Sequence, residues 1–239
     1  MLEYIPLQKI LFLDIETVSA YASYDELSDM FKSLWDKKSE QLQRGKNEGL
    51  SSKEMYPQAG IYAEFGKIVC ISVGYFARER DFRVKSFYGD DEKELLLDFS
   101  RLLTVHFNSN ENLLCAHNGK EFDFPYIARR MLIHGIEIPR ILNTAGKKPW
   151  EINHLDTMEL WKFGDYKSYA SLNLLAAVFG IPTPKDDIDG SQVGEVYWKE
   201  QNLERIVQYC QKDVLTIAQL FLKYRCEPVL KEGMITFAK

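Results

Sequence analysis

Two carboxylates separated by one residue, Asp14 and Glu16, stand at the end of the apolar run Ile10-Leu11-Phe12-Leu13. Successive strand side chains point to opposite faces, so a strand here puts Asp14 and Glu16 on the same face. Two like charges at the end of a buried strand are costly unless a cation neutralises them. The pair suggests part of a divalent-metal site, against the plainer reading of two solvated carboxylates opening a loop. Two later stretches pose the same choice. In Asn118-Gly119-Lys120-Glu121-Phe122-Asp123, the Asp sits where a helix should begin after a short strand, as a cap or as a ligand. Tyr209 and Asp213 stand one helical turn apart beside an apolar stripe, able to reach one water or metal, or to form a surface pair.

The elements that must position these residues can be read from periodicity. A strand is expected over 9–15, then a polar excursion over 20–66 containing an amphipathic helix from Asp25 to Leu42, its apolar side carrying Leu27, Met30, Phe31, Leu34 and Trp35. Lys37, Lys38, Arg44 and Lys46 on this excursion are a solvated face or approach a phosphate backbone. Residues 68–76 and 82–88 read as an antiparallel hairpin. Asp91-x-x-Glu94 opens a helix with Leu95, Phe99, Leu102, Leu103 and Phe107 on one face. Leu113–Ala116 is a short buried strand, and Asn118-Gly119 is a turn.

Around the loop of 135–153, Arg129, Arg130, Arg140, Lys147 and Lys148 are candidate phosphate contacts or an ordinary basic loop. Asp156 caps the following helix or serves as a reserve ligand. Ser171-Leu172-Asn173 opens a helix closed by Gly180, and an acidic, glycine-bearing loop runs from Lys185 to Glu195. The last helix carries Leu203, Ile206, Val207, Cys210, Val214, Ile217, Ala218 and Phe221 as its stripe. Strand, hairpin, helix, strand and helix in this order make a mixed α/β sheet with helices packed over it.

Composition narrows the classes. With 239 residues, 46% hydrophobic and 27% charged, the chain can bury a core of ordinary globular size. No apolar run is long enough to span a bilayer and the N-terminus lacks the layout of a secretory signal, so a cytoplasmic protein is expected. Cys70, Cys115, Cys210 and Cys226 are widely spaced, which favours free thiols over a zinc site or disulfides. A net charge of −5 argues against a broad grip on duplex nucleic acid but leaves room for a short single strand held by metals, rings and a few basic side chains.

Together, Asp14-x-Glu16, Asn118-x-x-x-Phe122-Asp123 and Tyr209-x-x-x-Asp213 resemble the motifs of proofreading-type 3′–5′ exonucleases of the RNase H-like superfamily. Among these the chain looks like stand-alone relatives of the exonuclease domain of B-family DNA polymerases, in the tyrosine branch. Glu64-Phe65-Gly66-Lys67-Ile68 and Ser171-Leu172-Asn173 share that likeness, which runs from about residue 8 to residue 222. The departure is the long 20–66 excursion.

The resemblance implies an RNase H-like α/β fold with a mixed five-stranded sheet, a single domain over 1–239, and a helical insertion at 20–66. It implies two ions of Mg²⁺ or Mn²⁺, with Asp14 bridging both, Glu16 and Asp213 on the water-activating ion and Asp123 on the other. Tyr209 would orient the attacking water; Thr17, Asn118 and Phe122 would contact the terminal nucleotides, and Lys185 a phosphate. The substrate implied is single-stranded nucleic acid, DNA favoured over RNA. With 26 residues following Asp213, a polymerase or repair partner would act in trans. The rivals are the same reaction on RNA, an idle nucleic-acid-binding module, and a structural protein in which every motif residue is a cap or surface pair.

Overall fold

The structure, a computed structural model, describes residues 2–43, 49–78, 80–165, 167–182 and 188–238. Its centre is a mixed six-stranded sheet in the order β5-β4-β1-β2-β3-β6. The strands are β1 (Ile10–Ser19), β2 (Gly66–Arg78), β3 (Asp81–Tyr88), β4 (Leu113–Ala116), β5 (Leu155–Asp156) and β6 (Ile235–Phe237). β1 pairs antiparallel with β2 and parallel with β4, so the ends of β1 and β4 open toward the same edge. The expected five strands become six because Ile235–Phe237 adds to β3 in parallel. Three residues are too few for alternation to announce a strand.

The helices are α1 (Asp29–Leu42), α2 (Ser52–Met55), α3 (Glu92–His106), α4 (Asp123–Ile133), α5 (Thr157–Lys162), α6 (Leu172–Val178), α7 (Val193–Glu195) and α8 (Leu203–Tyr224). Six of them start where the sequence offers an N-cap: Ser28, Ser51, Asp91, Asp156, Ser171 and Asn202 each accept from a backbone amide of the first turn.

β1 is buried on both faces, and its alternation sorts the two cores. Leu11, Leu13 and Ile15 face a cluster with Leu96, Phe99, Ile127 and Met131 of α3 and α4. Ile10 and Phe12 face the opposite cluster with Val214, Ile217 and Phe221 of α8. Phe12 meets Phe221 edge-on at 5.7 Å between ring centres. Asp14 and Glu16 continue the even-numbered series, so they fall on the α8 side. There the helix stripe turns from Phe221, Ile217 and Val214 to Asp213 and Cys210. One strand face and one helix face thus change from apolar to acidic together.

β1 extends beyond the expected end at Ile15 to Ser19, through a register shift between Glu16 and Thr17 where β2 contributes an extra residue. Such a bulge bends the strand locally and re-aims its side chains. The 20–66 excursion has a small core of its own around Trp35, which is fully buried and donates from Nε1 to Ser52 O. Its helix starts four residues later than expected, after a 3₁₀ turn at Tyr24–Glu26, and Met30, Phe31 and Leu34 are exposed rather than inward. The segment closes on β1 through a 3₁₀ helix, Tyr56–Ile61. A Cβ on Gly60 would come within 2.9 Å of the Val18 carbonyl carbon, so glycine permits this close approach.

Candidate active site

All eight residues singled out by the sequence, Asp14, Glu16, Thr17, Asn118, Phe122, Asp123, Tyr209 and Asp213, line one cleft of about 510 Å³. They come from β1, from the turn between β4 and α4, and from α8. Asn118 makes that turn in the left-handed region at φ 63, which Asn tolerates better than most residues. Its carbonyl accepts from the amides of Glu121 and Phe122, which leads the chain into α4 with Asp123 as the first helical residue. Asp156 fixes the turn from below. Its carboxylate accepts from the amides of Asn118 and Lys120, and from Met158 and Glu159 at the start of α5. Its capping role is thus seen directly, and Asp156 does not line the cleft.

The electrostatics of the cleft are those of crowded, buried acids. Burial pushes Asp14 well above the usual carboxylate range, and repulsion from Glu16, Asp213 and Asp123 adds to it. Glu16 is raised in the same way, by burial first and then by Asp213. Asp123 is pushed up to about 7 by burial, helped by Asp156 and Asp213 and opposed by the Asp123 and Ile15 backbone amides. The Tyr209 phenol is also raised, by burial first and then by the neighbouring Asp213, Glu16 and Asp14 carboxylates. Among the described residues lining the cleft there is no Lys or Arg to offset the acids. A set of four hard oxygen donors with surplus negative charge fits divalent ions of the Mg²⁺ or Mn²⁺ kind.

Cys210 is the residue that sequence reasoning left out of the site. Candidate ligand atoms of Asp14, Glu16 and Cys210 lie within 4.8 Å of one another. The Cys210 thiol is raised well above its usual range, by burial first, so it keeps its proton and donates to Asp14 O and Oδ2, both at 3.4 Å. A protonated thiol beside hard ligands holds Asp14 in place rather than joining the donor set. All four cysteines are free, as expected; Cys70, Cys115 and Cys210 are buried and Cys226 is exposed.

Over residues 61–233 the chain matches the family described as "Predicted 3'-5' exonuclease related to the exonuclease domain of PolB". The chain belongs to that family. The matched span includes Asn118, Asp123, Tyr209 and Asp213, while Asp14 and Glu16 lie before it and enter the same cleft through β1. The expected mixed α/β sheet flanked by helices is present. A family B DNA polymerase from the hyperthermophilic archaeon Pyrobaculum calidifontis is similar in structure, with a TM-score of 0.46 and 17% identity over 89% of this chain. The chain spans 24% of that polymerase's length.

Other parts of the cleft were also missing from the sequence reading. Pro57, Gln58, Gly60 and Ile61 form one wall, so the 20–66 excursion borders the site, and Gly190, Ser191 and Gly194 form another. Their only sequence signal is glycine in polar stretches. Tyr126, fully buried in α4, ties the first wall down by donating to Gly60 O at 2.7 Å. His117 also lines the cleft. Burial lowers its pKa, and because Ala170 O can only accept, the neutral ring carries its proton on Nε2 and accepts from Thr157 Oγ1 at Nδ1.

The basic candidates separate from the site. Arg130 is buried and paired with Glu92 through Nε at 2.8 Å and Nη2 at 2.5 Å, while Nη1 donates to Ala63 O. Arg140 bonds to Asn108, and Lys148 lies over the Trp150 ring. The loop carrying them packs on the start of β4, where the Leu114 amide donates to His154 Nδ1, rather than on its acidic end. No described residue of 124–182 lines the cleft. Lys37 and Lys38 border a different, mostly apolar hollow beside Phe31 and Leu34. Arg44, Lys46 and Lys185 lie outside the described residues. Among the described residues, no helix is long and apolar enough to cross a membrane.

Proposed function

We propose that the chain is a single exonuclease domain that removes mononucleotides from the 3′ end of single-stranded DNA with two divalent ions, Mg²⁺ or Mn²⁺. One observation carries this reading: four carboxylates from three separate elements converge in a single cleft together with a tyrosine, and among the described residues lining it there is no Lys or Arg. Membership of an exonuclease family gives such a cleft its natural reaction.

Asp14, Glu16, Asp123 and Asp213 would hold the ions. When bound, the ions supply positive charge that lowers the pKa of water and offsets charge on the leaving oxygen. The rest is the protein's own work. Tyr209, its phenol kept protonated by burial and the nearby acids, orients the attacking water instead of acting as a free base. Cys210 holds Asp14 by its thiol hydrogen bond. Asn118 and Thr17 offer polar groups to the terminal nucleotide. Phe122, half-buried and 5.3 Å from Tyr126 between ring centres, presents a face for stacking on a base. Base stacking tolerates any sequence, which suits a processing nuclease. Ile61, more than half exposed on the opposite wall, bounds the space for that base.

The test is a time course on 5′-labelled single-stranded DNA with Mn²⁺, beside its RNA counterpart, for wild type, Asp14→Ala and Asp213→Ala. A metal-dependent ladder shortening from the 3′ end, faster on DNA and lost in both variants, is expected. Faster cleavage of RNA would move the substrate to RNA. Binding without cleavage of either strand would leave an idle binding module.

A further inference from the structure

An exposed aromatic and basic surface adjoins the cleft beside His117. Phe163, at the end of α5, is 92% exposed, and its backbone lies in the left-handed region at φ 43. A bulky residue rarely adopts that conformation, and Gly164 beside it, at φ 89, leaves the ring nothing to pack on. Tyr169 is 67% exposed, and the Lys162 ammonium lies 4.2 Å from the centre of its ring. Two large rings in water and a partly exposed cation, on a connection between two short helices, contribute nothing to the core. Their position is fixed from the site side. Ala170, next to Tyr169, accepts from His117 Nε2 at 2.9 Å, and Thr157, at the start of α5, bonds His117 Nδ1 at 2.9 Å. His117 itself lines the cleft. Tyr169 therefore stands one residue from Ala170, which His117 of the cleft wall contacts, and Phe163 one residue beyond α5.

We infer that Phe163, Tyr169 and Lys162 form a stacking platform for the single-stranded DNA that trails from the cleft, holding nucleotides upstream of the one being removed. The inference rests on the exonuclease reading of the cleft and adds a second binding region outside it. Rings that meet bases by their faces combine with a cation that meets the backbone, the pairing used wherever single strands are held without sequence preference. Lys167 adds an exposed cation to the connection, and Asp165, whose carboxylate accepts from the Lys167 amide, is the one acid among the described residues of 163–170. The platform explains how an acidic protein grips a strand without a broad basic face: the grip is local and aromatic.

The experiment compares wild type with Phe163→Ala/Tyr169→Ala on two 5′-labelled substrates, a thymidine dinucleotide and a twelve-nucleotide oligothymidylate, with Mn²⁺. The dinucleotide fits the cleft alone, whereas the longer strand reaches the platform. The expected result is a fall of about 5- to 150-fold in kcat/KM on the twelve-mer, carried mainly by KM, with the dinucleotide changed less than about twofold. Phe163→Trp/Tyr169→Phe, which keeps both rings, should retain wild-type cleavage of the twelve-mer. Equal losses on both substrates, or no loss on the twelve-mer, would overturn the platform. If wild type cleaves neither strand, the exonuclease reading fails by itself. Anisotropy of fluorescein-labelled oligothymidylate then decides the platform: weaker binding in the double alanine variant supports it, and unchanged binding overturns it.

Discussion

Replacing Asp123 by Asn should make the metal-free protein more stable while removing its catalysis. Asp123 is buried, and its carboxyl is pushed from an ordinary value of 3.8 up to about 7. A raised folded-state pKa means that ionising the group opposes folding. Below about pH 4 both folded and unfolded chains hold the proton and the penalty is absent. Between there and about pH 7 the unfolded chain ionises while the folded one does not, so stability falls by about 1.4 kcal/mol per pH unit. At pH 8 the full penalty is about 4 kcal/mol; at pH 5 it is about 1.6 kcal/mol. Asn keeps the shape and an oxygen that can accept from the Ile15 amide, but carries no charge. Allowing for the polar group that stays buried, the gain at pH 8 should be about 1–4 kcal/mol. For a chain of this size that raises Tm by about 3–12 °C. The assay is thermal unfolding in EDTA at pH 5 and pH 8, with Mn²⁺ added in parallel. The variant should gain more at pH 8 than at pH 5, and Mn²⁺ should raise the Tm of wild type more than that of the variant. A variant less stable than wild type at pH 8, or a gain independent of pH, would refute the crowded-acid account.

Three further perturbations follow from the same geometry. Cys210→Ala should reduce stability by about 1–2 kcal/mol and slow cleavage while Mn²⁺ still binds, as calorimetry can measure; loss of Mn²⁺ binding as complete as in Asp14→Ala would make the sulfur a ligand. Arg130→Ala should lower stability by about 3–5 kcal/mol in denaturant titrations, because it takes the guanidinium from the buried Glu92 and leaves it only His134 and the Ile68 amide. Unchanged stability with weakened DNA binding would return Arg130 to the role of phosphate contact. Gly60→Ala should cost about 1–3 kcal/mol and raise KM for DNA, since its Cβ would press on the β1 backbone and displace the Pro57–Ile61 wall. Wild-type KM in that variant would remove this wall from substrate binding.

The acidic cluster was legible because its signals are short-range and chemical. An apolar run ending in Asp14-x-Glu16 says which face the carboxylates share, and the i, i+4 spacing of Tyr209 and Asp213 says the same for α8. Asn118 at φ 63 shows why that turn takes Asn-Gly. What could not be read was whatever depends on distant packing. Cys210 looks like any stripe residue until α8 is laid against β1, and Arg130 looks like a free cation until α3 brings Glu92 to it. The Tyr56–Ile61 wall has no pattern of its own, because its place is set by how Trp35, Tyr56 and Met55 pack together. Met30, Phe31 and Leu34 were assigned inward from helical spacing, yet the excursion's small core takes only Leu27 and Trp35 from that stripe as fully buried residues. The sixth strand was lost for lack of length.

The central claim, water-driven hydrolysis at the 3′ terminus by this carboxylate cluster, is tested most directly by the product. Single-stranded DNA would be digested with Mn²⁺ in ¹⁸O-enriched water and the released material analysed by mass spectrometry. The account predicts nucleoside 5′-monophosphates carrying one ¹⁸O each, with the shortened strand keeping its 5′ label and ending in a free 3′-hydroxyl. Nucleoside 3′-phosphates, internal fragments, or phosphate without ¹⁸O would contradict it.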